Sequence, residues 1–291
     1  GVVHLDRCTQ AIRIAQLLHG LRLAVDYYNI KVTGAISSPT PGDVIAACFG
    51  TNVFSPPAGA STSAACTSIR RSPADGSLSG DPSTFTGLPS VLSNAGAIET
   101  DGIDLILNYK TDLTDKIALA LSFNGNYTFK STFNAFVLNP ESVNRDCTGY
   151  VSSNCGSLQP DFSWSQRTTL SYGKIDVSLL WRHLSAMEQE PLDVIDGGAF
   201  FNGTIGSSVL GVGGRTVNFG KIKAYDYFDL STRLNASENL TITVSVQNLL
   251  DKAPPLTGNN AGSTSYNSGN TFPSTYDALG RRYAVTAKLR F

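Results

Sequence analysis

Polar and apolar residues alternate along much of the chain with a period of two. In the last segment Tyr283, Val285, Ala287, Leu289 and Phe291 share one face, while Arg282, Ala284, Thr286, Lys288 and Arg290 share the other. Leu240, Ile242, Val244 and Val246 likewise oppose Thr241, Thr243, Ser245 and Gln247. Ile175, Val177, Leu179 and Trp181 oppose Asp176, Ser178, Leu180 and Arg182, and a longer run from Ile117 to Lys130 does the same. Side chains of a strand point alternately to its two faces, so this period predicts β-strands. Eight are predicted, at about 21–33, 95–110, 116–133, 162–172, 174–187, 222–235, 239–249 and 280–291.

The connections carry a second pattern. Long ones, 34–94, 134–161, 188–221 and 250–279, alternate with short turns at 111–115, 172–173 and 236–238. Several strands reach the roughly 9–11 residues needed to cross a bilayer at a tilt. Short turns at one end and long loops at the other are the plan of a transmembrane barrel, and long structureless loops are uncommon in compact soluble domains. A soluble sandwich would put Lys and Glu on the polar faces; here those faces carry Ser, Thr, Asn and scattered charges, which suits a lumen. The fold class expected is all-β, an antiparallel transmembrane β-barrel segment of about eight strands. Leu119, Leu121, Val177, Leu179, Ile242, Val244, Val285 and Leu289 are expected to face lipid. Thr243, Ser245, Thr286, Lys288, Arg282, Asp104, Asn124 and Arg167 are expected to face inward.

Composition agrees. Of 291 residues, 22 are basic and 23 acidic, and charged residues make up 15%, well under the roughly 25% of soluble domains. Ser, Thr and Asn number 77 together, so polarity is mostly uncharged hydroxyl and amide. A net charge of -1 without a basic block excludes a generic electrostatic nucleic-acid partner. Residues 1–20 lack the alternation and read as an atypical leader, either an adapter helix or a segment foreign to the barrel, ahead of a barrel region at 21–291. Cys48 with Cys66, and Cys147 with Cys155, form two local pairs in loops, expected as disulfides of an oxidising compartment. The alternative is unrelated free thiols; Cys8 is left over.

Gly76-Ser-Leu-Ser-Gly80 has Leu where a hydrolase elbow needs its nucleophile. Ser171 and Lys174 fit the S-x-x-K spacing of serine esterases, the one hydrolase alternative, but that pairing needs a helix and Tyr172-Gly173 reads as a hairpin turn. His183 reads as an interfacial strand residue. Glu188, Glu190, Asp193 and Asp196 read as a solvated acidic loop rather than a calcium site. No catalytic, cofactor or metal residues are expected.

Five blocks resemble one family. LRLAVDYYNIKVTGAI at 21–36, NAGAIETDGIDLILNYK at 94–110, YDYFDLSTRL at 225–234, VQNLLDKAPP at 246–255 and YDALGRRYAVTAKLRF at 276–291 are similar to the C-terminal barrel region of TonB-dependent outer-membrane receptors. The resemblance implies a barrel of about 22 strands around a plugged lumen, in the outer membrane of a Gram-negative bacterium. It implies uptake of a siderophore, a cobalamin or a glycan by the intact parent, with TonB engaged only through an N-terminal plug. Nothing here matches the plug, so the chain is expected to be the last third of a receptor and not transport-competent alone. Tyr283, Leu289 and the terminal Phe291 resemble the signal read by the barrel-assembly machinery; outer-membrane lipid is the other implied partner. A small stand-alone eight-stranded barrel is the alternative. Pro254 and Pro255, which cannot donate to a ladder, are expected to end the preceding strand, with Asp251 capping the turn.

Overall fold

In a computed structural model the described residues are 4–14, 20–38, 41–50, 57–78, 83, 87–88, 92–134, 145–151, 158–189, 202–204, 206, 213–218, 220–256 and 271–290. Their frame is one antiparallel sheet. In chain order its long strands are β1 (His4–Ile14), β2 (Leu21–Ser37), β3 (Ser93–Thr114), β4 (Ile117–Asn134), β7 (Phe162–Tyr172), β8 (Ile175–Leu184), β13 (Tyr225–Asn235), β14 (Leu240–Gln247) and β15 (Arg282–Leu289). Each pairs with the next, and a short β5 (Arg145–Asp146) adds to β4.

Short turns close one end, and local polar chemistry shapes them. Gly173 takes φ 58 in the β7–β8 hairpin. Thr114 Oγ1 accepts the Lys116 and Ile117 amides at 3.3 and 3.1 Å before β4, and Ser237 Oγ accepts the Asn239 and Leu240 amides at 3.3 and 3.1 Å before β14. Bulges interrupt the β3–β4 ladder, at Phe129 of β4 opposite Asp101/Gly102 and at Leu113 of β3 between Asp112 and Thr114. Gly102 is needed at the first: a Cβ there would strike the Tyr127 carbonyl oxygen and the Tyr28 hydroxyl.

Several sequence expectations shift. β2 and β3 exceed the predicted 21–33 and 95–110, β2 running on to Ser37 and β3 from Ser93 to Thr114. The predicted strands at 174–187 and 222–235 each split, with β9 (Met187–Gln189) and β12 (Lys221–Ile222) leaving the main sheet. In the segment read as a leader, β1 pairs with β2 in register, Arg7 opposite Ile30 and Ile12 opposite Val25. The small closed barrel is not formed: among the described residues the sheet is open, with β1 and β15 at its edges.

The long connections are structured at the opposite end. The first holds α1 (Pro41–Phe49) and α2 (Ala64–Ser68), joined by a Cys48–Cys66 disulfide, with Ser63 Oγ capping α2 through the Cys66 amide at 3.2 Å. β10 (Asn202–Thr204) and β11 (Thr216–Asn218) make a separate ribbon. The others converge. β6 (Tyr150–Val151), β9 and β12 form a three-stranded sheet, and Val151, Met187, Ile222, Tyr227, Phe272 and Tyr276 bury one core beneath it. Tyr276 is only 1% exposed, and its hydroxyl has no hydrogen-bond partner among the described residues.

The 246–255 block is a knot, not a simple turn. Asn248 takes φ 50 and is 1% exposed. Its backbone amide donates to Asp229 Oδ1 at 2.8 Å; its side chain accepts the Lys252 amide at 2.8 Å and donates to the Lys252 carbonyl at 3.0 Å. Asp251, expected to cap this turn, instead accepts the Arg281 amide at 2.9 Å, fastening the entry of β15.

Replacing Asn248 by Ala strands the Lys252 backbone groups and forces Ala into the left-handed region, so the urea midpoint should fall by the equivalent of about 2–3 kcal/mol; Asn248→Gly, free of the backbone strain, should lose less. Tyr276→Phe removes an unpaired hydroxyl and should be neutral or stabilising, whereas Tyr276→Ala should cost roughly 3–5 kcal/mol in the loop core. Burial holds the Tyr276 phenol well above the ordinary tyrosine range. Its contribution is therefore complete below the unfolded value near pH ~10 and is lost as pH rises beyond it, which absorbance at the phenolate band during alkaline unfolding would follow.

Candidate functional site

Pairing sorts side chains into rows that cross the sheet, and from β4 to β15 the rows nearest the short turns are mostly apolar on one face, the outer, and mostly polar on the other. One outer row reads Leu119, Leu170, Val177, Thr232, Val244 and Val285. The next toward the turns reads Ile117, Tyr172, Ile175, Leu234, Ile242 and Ala287. All eight residues expected to face lipid lie on this outer face. Gln166 and Thr168 interrupt it on β7, and their polarity is met within the pair, Gln166 donating to Thr168 at 2.6 Å.

Toward the long loops the outer face turns aromatic. Phe123 and Trp164 rings stack at 5.6 Å, Trp164 meets Trp181 edge-on at 4.7 Å, and Trp181 meets Phe228 at 5.3 Å. Gly125 opens the space that the Phe123 ring fills, since a Cβ there would lie 2.8 Å from it. His183 stacks on Trp164 at 5.4 Å, and Asp226 Oδ1 accepts Trp181 Nε1 and bonds His183 Nδ1, both at 2.8 Å. Such a belt suits a membrane–water boundary, where amphipathic rings settle.

The inner face is polar and mostly satisfied by itself. Arg182 pairs with Asp229 at 3.1 Å and lies 5.3 Å over the Tyr227 ring. Asn126 donates to Asp104 at 2.8 Å and to Tyr28 at 3.1 Å. Nearer the short turns the side chains become small: Thr169 and Ser178 hydroxyls bond at 2.7 Å, and Arg233 pairs with Asp176 at 2.6 Å. Asp26, Asp104, Asn124, Asn126, Ser165 and Arg182, drawn from β2 to β8, line one concavity of about 490 Å³. The sheet therefore curls with this face inward.

The segment Pro273–Leu279 crosses the inner face. The Asp277 amide donates to the Tyr227 hydroxyl at 3.2 Å, and Arg282 pairs with Asp277 at 3.1 Å. Between this segment and the wall lies a second cleft of about 450 Å³, with Arg182 and Arg282 at its margin. Arg182 and Thr275 line both spaces, so wall and loop form one continuous polar surface.

The serine–lysine spacing makes no catalytic pair. Ser171 and Lys174 flank a hairpin turn instead of sharing a helix, and Ser171 donates to Asp176 at 2.5 Å, away from any base role. Glu188 pairs with Lys221 at 2.8 Å, while Glu190, Asp193 and Asp196 lie outside the described residues. No metal-binding group of His, Cys, Asp or Glu occurs among the described residues. Cys147 is disulfide-bonded; Cys155 lies outside the described residues. Tyr283 and Leu289 stand exposed on β15, and Phe291 is again outside them. Sequence reasoning missed the Asn248 and Tyr276 roles, though both sit in the blocks that carried the resemblance.

Comparison with known proteins gives a consistent answer. The family described as TonB dependent receptor-like, beta-barrel, matches residues 15–249. A search of the curated proteins finds no significant match. Among solved structures, the ferric enterobactin receptor of Pseudomonas aeruginosa is similar at TM-score 0.56 and 15% identity, over 99% of this chain and 31% of that one. The FrpB iron transporter of Neisseria meningitidis is similar at TM-score 0.53 and 10% identity, over 99% and 31%. The chain thus spans about a third of the length of the receptors it resembles.

Proposed function

The chain belongs to the TonB-dependent receptor β-barrel family, and from that premise we propose that it forms part of the wall of an outer-membrane uptake receptor. Its outer face meets lipid and its inner face borders the ligand path. One observation carries this reading: the rows nearest the short turns, followed from β4 to β15, are mostly apolar on the outer face and mostly polar on the inner face. A soluble sheet of this kind would leave Leu170, Val177, Val244 and Val285, all at least 40% exposed, facing water.

Transport is a property of the whole receptor. The proposal assigns TonB engagement to a plug region outside these residues, and these 291 residues alone are not expected to import. The ligand is expected to be a solute too large for diffusion pores, a siderophore, a cobalamin or a glycan; the similar structures named for ferric enterobactin and iron make the first the one to test. The polar inner wall and the Pro273–Leu279 segment above it fit passage of a hydrophilic solute. Cys147 and Cys155 are proposed as a second loop disulfide beside Cys48–Cys66. The barrel-assembly machinery is the proposed partner of the final strand, through Tyr283, Leu289 and Phe291.

Substitution on adjacent residues of β14 tests the wall. Val244→Arg places a charge against hydrocarbon and should weaken membrane assembly by about 2–4 kcal/mol, while Thr243→Arg faces the lumen and should be tolerated. Equal tolerance of both in a membrane-integration assay overturns the assignment. Uptake of radiolabelled ferric siderophore by cells carrying the intact parent, with and without TonB, tests the import reading; uptake that ignores TonB would end it.

A further inference from the structure

Charge on the upper inner wall differs between its two sides. On β2 and β3 it is negative: Asp26 stands directly opposite Asp104, and both line the larger concavity. Asn126 donates to Asp104, while Asp26 meets no donor among the described residues. From β8 to β15 the carboxylates come instead as ion pairs, Arg182–Asp229, Arg282–Asp277 and Arg233–Asp176.

Those three pairs are lopsided. The arginine side chains are 41, 41 and 58% exposed, and their aspartates only 18, 6 and 13%. In Lys130–Glu99 and Lys221–Glu188, which lie outside this sector, the two partners are similarly exposed. A second donor on each aspartate accounts for the difference. Asp229 also accepts the Asn248 amide at 2.8 Å, Asp277 the Leu279 amide at 3.1 Å, and Asp176 the Ser171 hydroxyl at 2.5 Å. Each carboxylate is thus drawn into the structure and engaged there, and its guanidinium is the part left open.

Two of these arginines border one cleft. Arg182 gives Nη2 to Asp229, whereas Arg282 gives Nε to Gln247 and Nη2 to Asp277. Nη1 of each has no partner among the described residues. Both side chains line the space of about 450 Å³ beside Pro273–Leu279, together with Ser274 and Thr275. Their strands are three steps apart, roughly 14 Å at about 4.8 Å each. Arg233 lies six residues nearer the short turns than Tyr227, the register partner of Arg182, or roughly 20 Å at about 3.3 Å per residue. A row of hydroxyls, Ser178, Ser231 and Ser245, crosses the wall between them.

Resting on the wall reading above, we propose that the β8–β15 sector takes its solute by the oxyanions. Carboxylate or catecholate oxygens seat in the cleft between Arg182 and Arg282, and Arg233 offers the next guanidinium toward the short turns. A planar guanidinium matches such oxygens in fixed geometry. The ion pairs already hold the guanidiniums in place, so little side-chain ordering is left to the binding step. Asp26 and Asp104 repel the same charge and keep it to this side. Of the solute classes above, this selects anionic iron complexes over neutral glycans and cobalamin.

Ser274 provides the test, because it is exposed, lines the cleft and belongs to no ion pair. Cells carrying the intact parent are offered radiolabelled ferric citrate, ferric 2,3-dihydroxybenzoate, cyanocobalamin or maltoheptaose, with and without TonB. At least one of the two anionic iron complexes should enter by a TonB-dependent route, and the two uncharged solutes should not. Ser274→Glu should raise the half-saturating concentration of that complex about tenfold, through one like charge beside the cleft. Ser274→Lys should leave it unchanged or lower it. Equal loss in both variants, or no loss in Ser274→Glu, overturns the oxyanion site. So does TonB-dependent uptake confined to the uncharged solutes, or uptake of none of the four; these outcomes leave the lipid-facing wall standing. Uptake of the iron complexes that ignores TonB overturns the import reading as well.

Discussion

For a wall that meets lipid, as proposed, one constraint governs the rest: backbone amides and carbonyls in hydrocarbon must be paired, because no water is there to meet them. A sheet meets it by pairing every strand to its neighbour, and in the main sheet β2, β3, β4, β7, β8, β13 and β14 are each paired on both sides. Once the ladder is fixed, side-chain direction is fixed too, since a slip of one residue would exchange the two faces. The polarity of the rows is thus a consequence of the ladder. It also explains why Val244 and Thr243, adjacent in sequence, have opposite surroundings.

The same constraint accounts for the unusual composition. Inner side chains must be polar, but charge on a wall next to a low-dielectric medium is costly unless it is paired. Asp229 serves two partners, the Arg182 guanidinium and the Asn248 amide, and Asp176 serves Ser171 and Arg233. Hydroxyls such as Thr169 and Ser178 bond one another across strands and need no counterion. A chain rich in Ser, Thr and Asn with few charges is what such a wall calls for.

Much of this was legible in the sequence because period-two alternation and the short–long rhythm of connections are local signals. The faces of β8, β14 and β15 could be read residue by residue. The Cys48–Cys66 pairing was also within reach, both residues lying in one loop. What stayed hidden depends on contacts between distant segments. The loop core joins Val151, Met187, Ile222 and Tyr276, which come from three separate connections, and no window of sequence contains their pattern. β1 was hidden for a different reason. Register opposite β2 puts its residues in a sheet although their own alternation is weak. Ser171 and Lys174 show the converse: a motif spacing is present, and the hairpin around Gly173 removes the geometry it would need.

The knot at Asn248 separates two demands that would otherwise conflict. The loop after β14 must cross the inner face, where Asp277 meets Tyr227, while β15 must enter the ladder in one register only. Asn248 ties the end of β14 to Asp229 on β13, and Asp251 ties it to the Arg281 amide, so the strand ends are held independently of the residues between them. Length and sequence can then vary within the loop without shifting the wall, because loop closure entropy grows only slowly with length. The wall asks of each position a polarity, not an identity. The loops stand outside the ladder, and they are free to diverge. A receptor family built this way can keep one architecture at low sequence identity while its members take different solutes.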